Sequence, residues 1–167
     1  MGSPKLMETA YLSLGSNMGD REANLARAVE ELRRRGVHIL RQSSLYETEP
    51  LEIREQAWFL NCVVEIETTA TPSELLAMLL EVEREMGRLR GTKYGPRLID
   101  MDILLYGATV VDTPELTVPH PKMTERRFVL VPLNELASDI RHPVLRKTIA
   151  ELLAETPDQS QVRVWRP

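Results

Sequence analysis

Four separate stretches of the chain are rich in apolar residues of the kind found in strands, and polar residues alternate with them in the first and the last. We therefore predict strands at residues 9–14, 37–46 and 59–67 and a fourth that begins at residue 99. Two stretches between these strands repeat apolar residues at a helical spacing: Leu25, Ala28, Val29 and Leu32 in the first, and Leu75, Leu79, Val82 and Met86 in the second. The pattern therefore predicts strand–helix–strand–strand–helix–strand.

Capping residues support both helices. Asp20 or Asn17 can cap the first helix, and Thr71 directly precedes Pro72 at the start of the second. Gly87 follows the last apolar position of the second helix and predicts its end. The segment between residues 47 and 56 is polar and contains a proline, so we expect a long loop there.

This order of elements predicts an α+β fold, ferredoxin-like, with a split βαββαβ core and an antiparallel sheet. Additional helices and short strands follow the core: a short strand at 110–111, an extended connection at 117–121, a helix at 126–137 interrupted near Pro132, a helix at 145–155 and an edge strand at 162–165. We predict a single domain over residues 1–167, with residues 1–8 as a disordered or tag-derived leader.

Composition narrows the classes of function. The apolar fraction of 43% and charged fraction of 28% are ordinary for a globular protein, and the net charge of −4 gives no reason to expect nucleic-acid binding. No apolar run is as long as a membrane span, so we expect no membrane partner. Cys62 is the only cysteine, which excludes an internal disulfide and favours a reducing, cytoplasmic location.

The segment from residue 87 to 106 carries the clearest candidate chemistry. A loop punctuated by Gly and Pro first gathers four cations: Arg88, Arg90, Lys93 and Arg97. The strand that follows contains Asp100 and Asp102, which project from the same face because strand side chains alternate. Either feature alone is commonly a solvated surface. Together they favour phosphoryl-type transfer, in which carboxylates hold Mg²⁺ and cations hold phosphate oxygens.

Other candidates are weaker when taken singly. No Gly-x-x-x-x-Gly-Lys-Ser/Thr motif is present, and Gly15 is interpreted as part of a plain turn. His120 lies between two prolines. Its ring could donate a hydrogen bond to a phosphate or have a purely structural role, and the sequence favours neither. The two phenylalanines, Phe59 and Phe128, pack in a core by default, although paired rings can also clasp a flat heteroaromatic ligand whose edge Asn61 could bind.

Several motifs occur together and in order: Leu-Gly-Ser-Asn at 14–17, Phe-Leu-Asn at 59–61, Gly-Arg-Leu-Arg at 87–90, Tyr-Gly-Pro-Arg-Leu-Ile-Asp-Met-Asp at 94–102, and Val-Pro-His at 118–120. The chain resembles the 6-hydroxymethyl-7,8-dihydropterin pyrophosphokinase family of folate biosynthesis over nearly its whole length. The resemblance implies a monomeric ferredoxin-like enzyme that transfers pyrophosphate from ATP to the pterin hydroxymethyl group and leaves AMP.

The resemblance also implies roles for individual residues. Asp100 and Asp102 would bind two Mg²⁺ ions. The same two aspartates would take part in catalysis together with three arginines of the loop, Arg88, Arg90 and Arg97. ATP would contact Glu83, Arg88, Lys93, Arg97, Ile99, His120 and Arg126. The pterin would contact Thr48, Glu49, Leu51, Phe59, Asn61, Tyr94, Asp100 and Phe128.

Two other functions remain open from the residues alone. A regulatory ferredoxin-like module would bind a ligand without forming AMP. An ordinary kinase would transfer only the γ-phosphoryl group and release ADP.

Overall fold

A computed structural model of the protein describes residues 6–51, 55–87 and 98–167. The strands within these ranges are β1 (Glu8–Ser16), β2 (His38–Gln42), β3 (Tyr46–Thr48), β4 (Phe59–Thr68), β5 (Asp100–Tyr106), β6 (Val111–Asp112), β7 (Thr117–Val118) and β8 (Val162–Val164). The helices are α1 (Arg21–Arg34), α2 (Pro72–Glu85), α3 (Arg127–Ala137) and α4 (Ile149–Glu155), and a 3-10 turn spans Met123–Glu125.

The main sheet is antiparallel and has the order β5-β1-β4-β3-β8, with β2 also paired to β4. β2 and β3 follow one another along the same edge of β4, because β1 occupies the other edge. With β2 and β3 taken as one strand, the order is fourth–first–third–second, that of a split βαββαβ unit. The predicted ferredoxin-like fold class is confirmed. β6 and β7 form a separate hairpin.

Helices cover both faces of this sheet. On the first face, apolar side chains of β1 such as Leu12 and Leu14 pack with the buried stripes of α1 and α2. On the second face, Tyr11 and Val63 pack with the apolar sides of α3 and α4. Successive residues of each strand therefore serve different cores, as the period of two requires.

The first two helices begin where their capping residues predict. Asp20 accepts a hydrogen bond from the Ala23 amide at 3.1 Å and caps α1. Thr71 and Glu74 form a capping box at the start of α2, with Pro72 in its first position. Gly87 has a positive φ of 83° just after this helix, a conformation that favours glycine.

The predicted strand at 37–46 is divided because side chains interrupt its pairing with β4. At the break, Ser43 donates its N–H to the Val63 carbonyl (2.9 Å), while its hydroxyl accepts from the Val63 amide (3.0 Å). The next amide, of Ser44, turns away and donates to Glu135 on α3. Pairing resumes at Tyr46, so the loop predicted from residue 47 begins only after β3.

Two predictions for the C-terminal helices were wrong in detail. α3 continues through Pro132 without interruption, and burial of its apolar side, including Leu130 and Leu133, compensates for the missing backbone donor. α4 begins at Ile149 rather than near residue 145, because Thr148 caps it in a capping box. In the described residues, no helix is both long and apolar enough to cross a membrane.

A polar cluster lies on the second face of the sheet, at Glu65. The Tyr11 hydroxyl donates to this carboxylate at 2.5 Å, and Arg41 Nη2 donates to it at 2.8 Å. The hydrogen bond from Arg41, which outweighs the opposing effect of burial, holds the pKa of Glu65 below its usual range.

Glu65→Gln is expected to lower the free energy of unfolding by about 1–2 kcal/mol at neutral pH, because an amide does not replace the charged partner of Arg41. The folded-state pKa lies below the unfolded value, so the contribution is present above the unfolded pKa and is lost as the pH falls through the folded one. Urea unfolding at neutral pH and at about pH 3 should show the difference from wild type shrinking in acid. A difference that is independent of pH would contradict this. Glu30→Gln, at an exposed ion pair with Arg33, is the control.

Candidate active site

A cavity opens on the second face of the sheet, beside the start of α3. We call it the aromatic cavity, because both phenylalanines of the chain line it. Its lining residues are Ser13, Gly15, Thr48, Glu49, Pro50, Leu51, Gln56, Phe59, Asn61, Asp100, Asp102, Arg126 and Phe128. They come from β1, β3, β4, β5, the segment around α3 and the connection between β3 and β4.

The alternation of β5 brings its two aspartates into this cavity. Met101 and Ile103 point to the core under α1 and α2, so Asp100 and Asp102 project from the opposite face, as predicted. On the neighbouring strand Gly15 pairs with Asp100, and Ser13 pairs with Asp102. Small side chains therefore flank both carboxylates and leave space above the sheet.

Asn61 and Thr48 form a polar pair in the same cavity. Asn61 is only 3% exposed, and its Nδ2 donates to Thr48 Oγ1 at 2.6 Å. Asn61 also pairs across the sheet with Gly15. A Cβ atom at position 15 would overlap the Asn61 amide oxygen, so glycine is required there for the observed position of this amide.

Aromatic and cationic side chains complete the cavity. Phe59 is the first residue of β4 and Phe128 the second residue of α3. The guanidinium carbon of Arg126 lies 5.5 Å from the centroid of the Phe128 ring, within the range of a cation–π contact. Among the described residues, the cavity thus presents flat apolar surfaces, amide and hydroxyl groups, one guanidinium and three carboxylates, those of Glu49, Asp100 and Asp102.

A second cavity adjoins the first, beside the β6–β7 hairpin, and we call it the hairpin cavity. It is lined by Leu76, Met101, Asp102, Ile103, Pro114, Glu115, Leu116, Thr117, His120 and Pro121. Asp102 lines both cavities. Two different molecules could therefore be bound on either side of this one carboxylate.

A bulge in β5 fixes His120. Tyr11 pairs with Leu105 and Leu12 with Ile103, so Leu104 is the extra residue. Its carbonyl accepts a hydrogen bond from the His120 amide at 3.0 Å. The irregularity in the strand thereby holds the histidine backbone beside the carboxylates.

The His120 ring is neutral at physiological pH. Burial, reinforced by the positive charges of Arg126 and Lys122 and opposed by Asp100, lowers its pKa to about 4. Nδ1 accepts from the Lys122 amide at 3.1 Å, so the proton is on Nε2, which lies 4.0 Å from Asp102 Oδ1. The short separation is therefore not an ion pair at neutral pH, and Nε2–H can donate to a ligand oxygen.

The structure does not bring every candidate residue to these cavities. Glu83 is 2% exposed on α2 and lines neither cavity. Ile99 is fully buried in the core under α1 and α2, so its side chain offers no surface to a ligand. Ile103 of the same strand lines the hairpin cavity instead. The remaining candidates lie outside the described residues: Arg88, Arg90, Lys93, Tyr94 and Arg97.

Sequence reasoning missed several lining residues. Gly15 was interpreted as part of a turn, but it is the eighth residue of β1, and extending the predicted strand by one residue would have included it. Ser13 follows from the alternation of that strand. Gln56 had no local signal, since its place depends on a distant contact: its Oε1 accepts from Asn17 Nδ2 at 2.8 Å.

Comparisons with known proteins give a consistent result. Residues 11–138 match the sequence model of the family described as 7,8-dihydro-6-hydroxymethylpterin-pyrophosphokinase. The 2-amino-4-hydroxy-6-hydroxymethyldihydropteridine pyrophosphokinase of Bacillus subtilis (strain 168) is 44% identical over 158 residues, which cover 94% of this chain and 90% of that protein. The protein of the same name from Methylorubrum extorquens is 43% identical over 159 residues, covering 95% and 99%.

Among solved structures, a Plasmodium falciparum HPPK-DHPS crystallised with pterin and p-hydroxybenzoate superposes with a TM-score of 0.74 at 18% sequence identity. The match covers 92% of this chain and 44% of that one. At this identity the likeness concerns the fold, and the chain spans less than half of the longer protein.

Proposed function

The chain belongs to the 7,8-dihydro-6-hydroxymethylpterin-pyrophosphokinase family, and from this premise we propose how its residues divide the work of the reaction. It is an ATP-dependent diphosphotransferase of folate biosynthesis, which transfers pyrophosphate to the hydroxymethyl group of 6-hydroxymethyl-7,8-dihydropterin. The family and the activity expected from the sequence are both confirmed.

One observation carries the division of roles: Asp102 lies on the wall shared by the aromatic and hairpin cavities. A reaction between two bound substrates requires their reacting atoms to meet at one place with the correct orientation. The pterin occupies the aromatic cavity, the nucleotide occupies the hairpin cavity, and transfer takes place beside this carboxylate.

The pterin is held by groups suited to a flat heterocycle. Phe59 and Phe128 provide apolar ring surfaces, and the Asn61–Thr48 pair supplies buried polar groups for the pterin edge. Glu49 and Leu51 complete the same wall. Specificity arises because a ligand that lacks the matching polar edge would leave the remaining donors and acceptors of this buried pair without partners.

The polyphosphate of ATP is bound by neutral and cationic donors. His120 donates from Nε2 to a phosphate oxygen, and the bulge at Leu104 keeps it in position. Arg126 faces the transferred group from the start of α3. Neutralising charge on the transferred group matters more in this chemistry than a strong protein base.

Asp100 and Asp102 suit a magnesium site. Both are hard oxygen donors that share one face of β5 and line one cavity, and Mg²⁺ in nucleotide enzymes commonly takes one or two carboxylates plus phosphate oxygens. We assign two Mg²⁺ ions to this pair. Bound there, Mg²⁺ would neutralise phosphate charge and favour the pterin hydroxyl as the attacking group. The protein's own part is to hold the two carboxylates in fixed register on a rigid strand.

Further roles follow from the family resemblance. The three arginines of the loop, Arg88, Arg90 and Arg97, are assigned to catalysis, with Lys93 to the nucleotide and Tyr94 to the pterin. Glu83 is retained as a residue of the nucleotide side, acting through other groups because its side chain is buried. Ile99 is likewise retained on the nucleotide side, where it would contact ATP through its backbone because its side chain is buried.

The wider setting is proposed on the same basis. Residues 1–167 form one domain that works as a cytoplasmic monomer on two small-molecule substrates, without a nucleic-acid or membrane partner. The structure places Glu8 in β1, so the last residue of the predicted leader belongs to the first strand instead.

Nucleotide analysis after incubation with ATP, Mg²⁺ and the hydroxymethyl-dihydropterin tests the function. We expect AMP and the pterin diphosphate in equal amounts. Formation of ADP would identify a γ-phosphoryl kinase, and ligand binding without turnover would identify a regulatory module. A reaction mixture containing EDTA tests the need for a divalent metal.

Gly15→Ala tests the contact between β1 and Asn61. We expect the KM for the pterin to rise about 10-fold, because the added methyl group displaces the Asn61 amide. The KM for ATP should change by less than about 2-fold, since the hairpin cavity does not include this residue. Gly36→Ala is the control for loss of stability away from the site, since the positive φ of 86° there strains an alanine while the added methyl group meets no atoms. An unchanged KM for the pterin would contradict the assignment of Asn61.

A further inference from the structure

The start of α3 is capped by Asp158, which lies 31 positions after the first residue of this helix. The residue at the N-cap position, Arg126, makes no side-chain capping bond. Instead the Arg127 amide donates to Asp158 Oδ2 at 2.8 Å, and Arg127 Nε donates to the Ser160 carbonyl at 3.1 Å. Asp158 thus performs the capping role that usually belongs to the preceding residue.

Asp158 is itself held in place. The amide and the hydroxyl of Ser160 both donate to its carboxylate at 2.9 Å. Burial alone would raise the pKa of Asp158, but the hydrogen bonds from Arg127 and Ser160 lower it overall. The carboxylate is therefore charged at neutral pH and suited to the positive end of the helix.

The chain then continues to Thr48 and Glu49, which line the aromatic cavity together with Phe128. The Gln161 amide donates to Glu49 Oε1 at 2.8 Å, and the Glu49 amide donates to the Gln161 carbonyl at 3.2 Å. In β8, Val162 pairs with Thr48. Only two residues separate Asp158 from Gln161, so the length of this connection can vary little.

Arg163 anchors the far end of this connection. Its Nη2 donates to Glu47 Oε1 at 2.7 Å, and its guanidinium lies 4.7 Å from the centroid of the Trp58 ring. Arg21 at the start of α1 binds the other oxygen of Glu47 at 2.9 Å and donates to the Trp58 carbonyl at 2.8 Å. The end of the connection is thereby fixed to β3, to the start of α1 and to the residue that precedes Phe59 of the cavity wall.

We propose that residues 158–163 form a brace that sets the separation between the Phe128 wall and the Thr48–Glu49 wall of the aromatic cavity, with Asp158 and Arg163 as positioning residues for the pterin. The brace touches neither reacting group. Its effect is to hold the two walls at the spacing that a flat bicyclic ligand requires. This inference rests on the proposed binding of the pterin in the aromatic cavity.

The test uses the full chain with Asp158→Ala, Arg163→Ala and the double variant. Calorimetric titration with the pterin, in the presence of Mg²⁺ and a non-hydrolysable ATP analogue, should show each single variant binding about 5- to 10-fold more weakly. The Kd for the ATP analogue and the kcat should change by less than about 2-fold. Asp158→Asn, which keeps one acceptor oxygen for the Arg127 amide, should recover most of the affinity. Asp139→Ala and Arg166→Ala are exposed controls.

The double variant separates a brace from two local effects. Loss of the contacts at either end of the brace is enough to free the separation between the two walls. The double variant should therefore bind the pterin no more weakly than the weaker-binding single variant. If the fold-changes in pterin Kd of the two single variants multiply in the double variant, the proposal is overturned, because the two residues then act independently. Melting temperatures that fall while the pterin Kd stays constant would overturn it too, since the segment would then only stabilise the fold.

Phe128→Ala, measured in parallel, distinguishes failure of the brace from failure of the site. If Phe128→Ala weakens pterin binding while the brace variants match wild type, the brace is refuted and the binding site stands. If Phe128→Ala also leaves binding unchanged, the pterin is not bound in this cavity and both assignments are overturned.

Discussion

Asp102→Ala is expected to reduce pyrophosphoryl transfer by about 10³-fold or more, because it removes a metal ligand at the meeting point of both cavities. The side chain is 40% exposed, so its loss creates no buried cavity and the fold should persist. Single-turnover measurements at saturating ATP and pterin isolate the chemical step from any change in affinity.

Two companion variants sharpen this experiment. Asp102→Asn keeps the size of the side chain but not its charge, and should be nearly as slow if metal binding is the cause. Asp112→Ala, on the exposed hairpin strand β6, should leave the rate unchanged. Titration with Mg²⁺ should show a higher metal requirement in both Asp102 variants. A wild-type rate in Asp102→Ala would refute the metal assignment.

Phe128→Ala is expected to weaken pterin binding by about 5- to 150-fold, corresponding to the roughly 1–3 kcal/mol that an aromatic ring contributes when a heterocyclic base stacks on it. The Kd for ATP should be nearly unchanged, because Phe128 does not line the hairpin cavity. Equilibrium titration with each ligand separately measures both values.

Phe128→Tyr is the matched control, since it retains the ring and its contact with Arg126. It should bind the pterin within about 3-fold of wild type. Phe128 also packs at the border of the α3 core, so a thermal melt must accompany the titration. Equal affinities of the alanine and wild-type proteins for the pterin would contradict the proposed stacking.

Strand and helix periodicity accounts for much of this molecule. Alternation in β5 was enough to predict that Asp100 and Asp102 share a face, and the observed register confirms it. The capping residues Asp20 and Thr71 were likewise recognisable, because a cap depends on residues only three positions apart.

Features that depend on distant contacts could not be read from local patterns. The break between β2 and β3 follows from the contact of Ser43 with Val63 and of Ser44 with Glu135. The cap of α3 by Asp158 joins residues 31 positions apart. In each case tertiary structure decides what the local sequence leaves open.

β8 has a consequence for how the protein folds. It pairs with β3 although 116 positions separate Arg163 from its partner Glu47, and Thr48 at the end of β3 lines the aromatic cavity. Contacts this remote in sequence form late, because a long loop must close first. We therefore expect β8 to pair with β3 only after β1, β4 and β5 have formed the centre of the sheet.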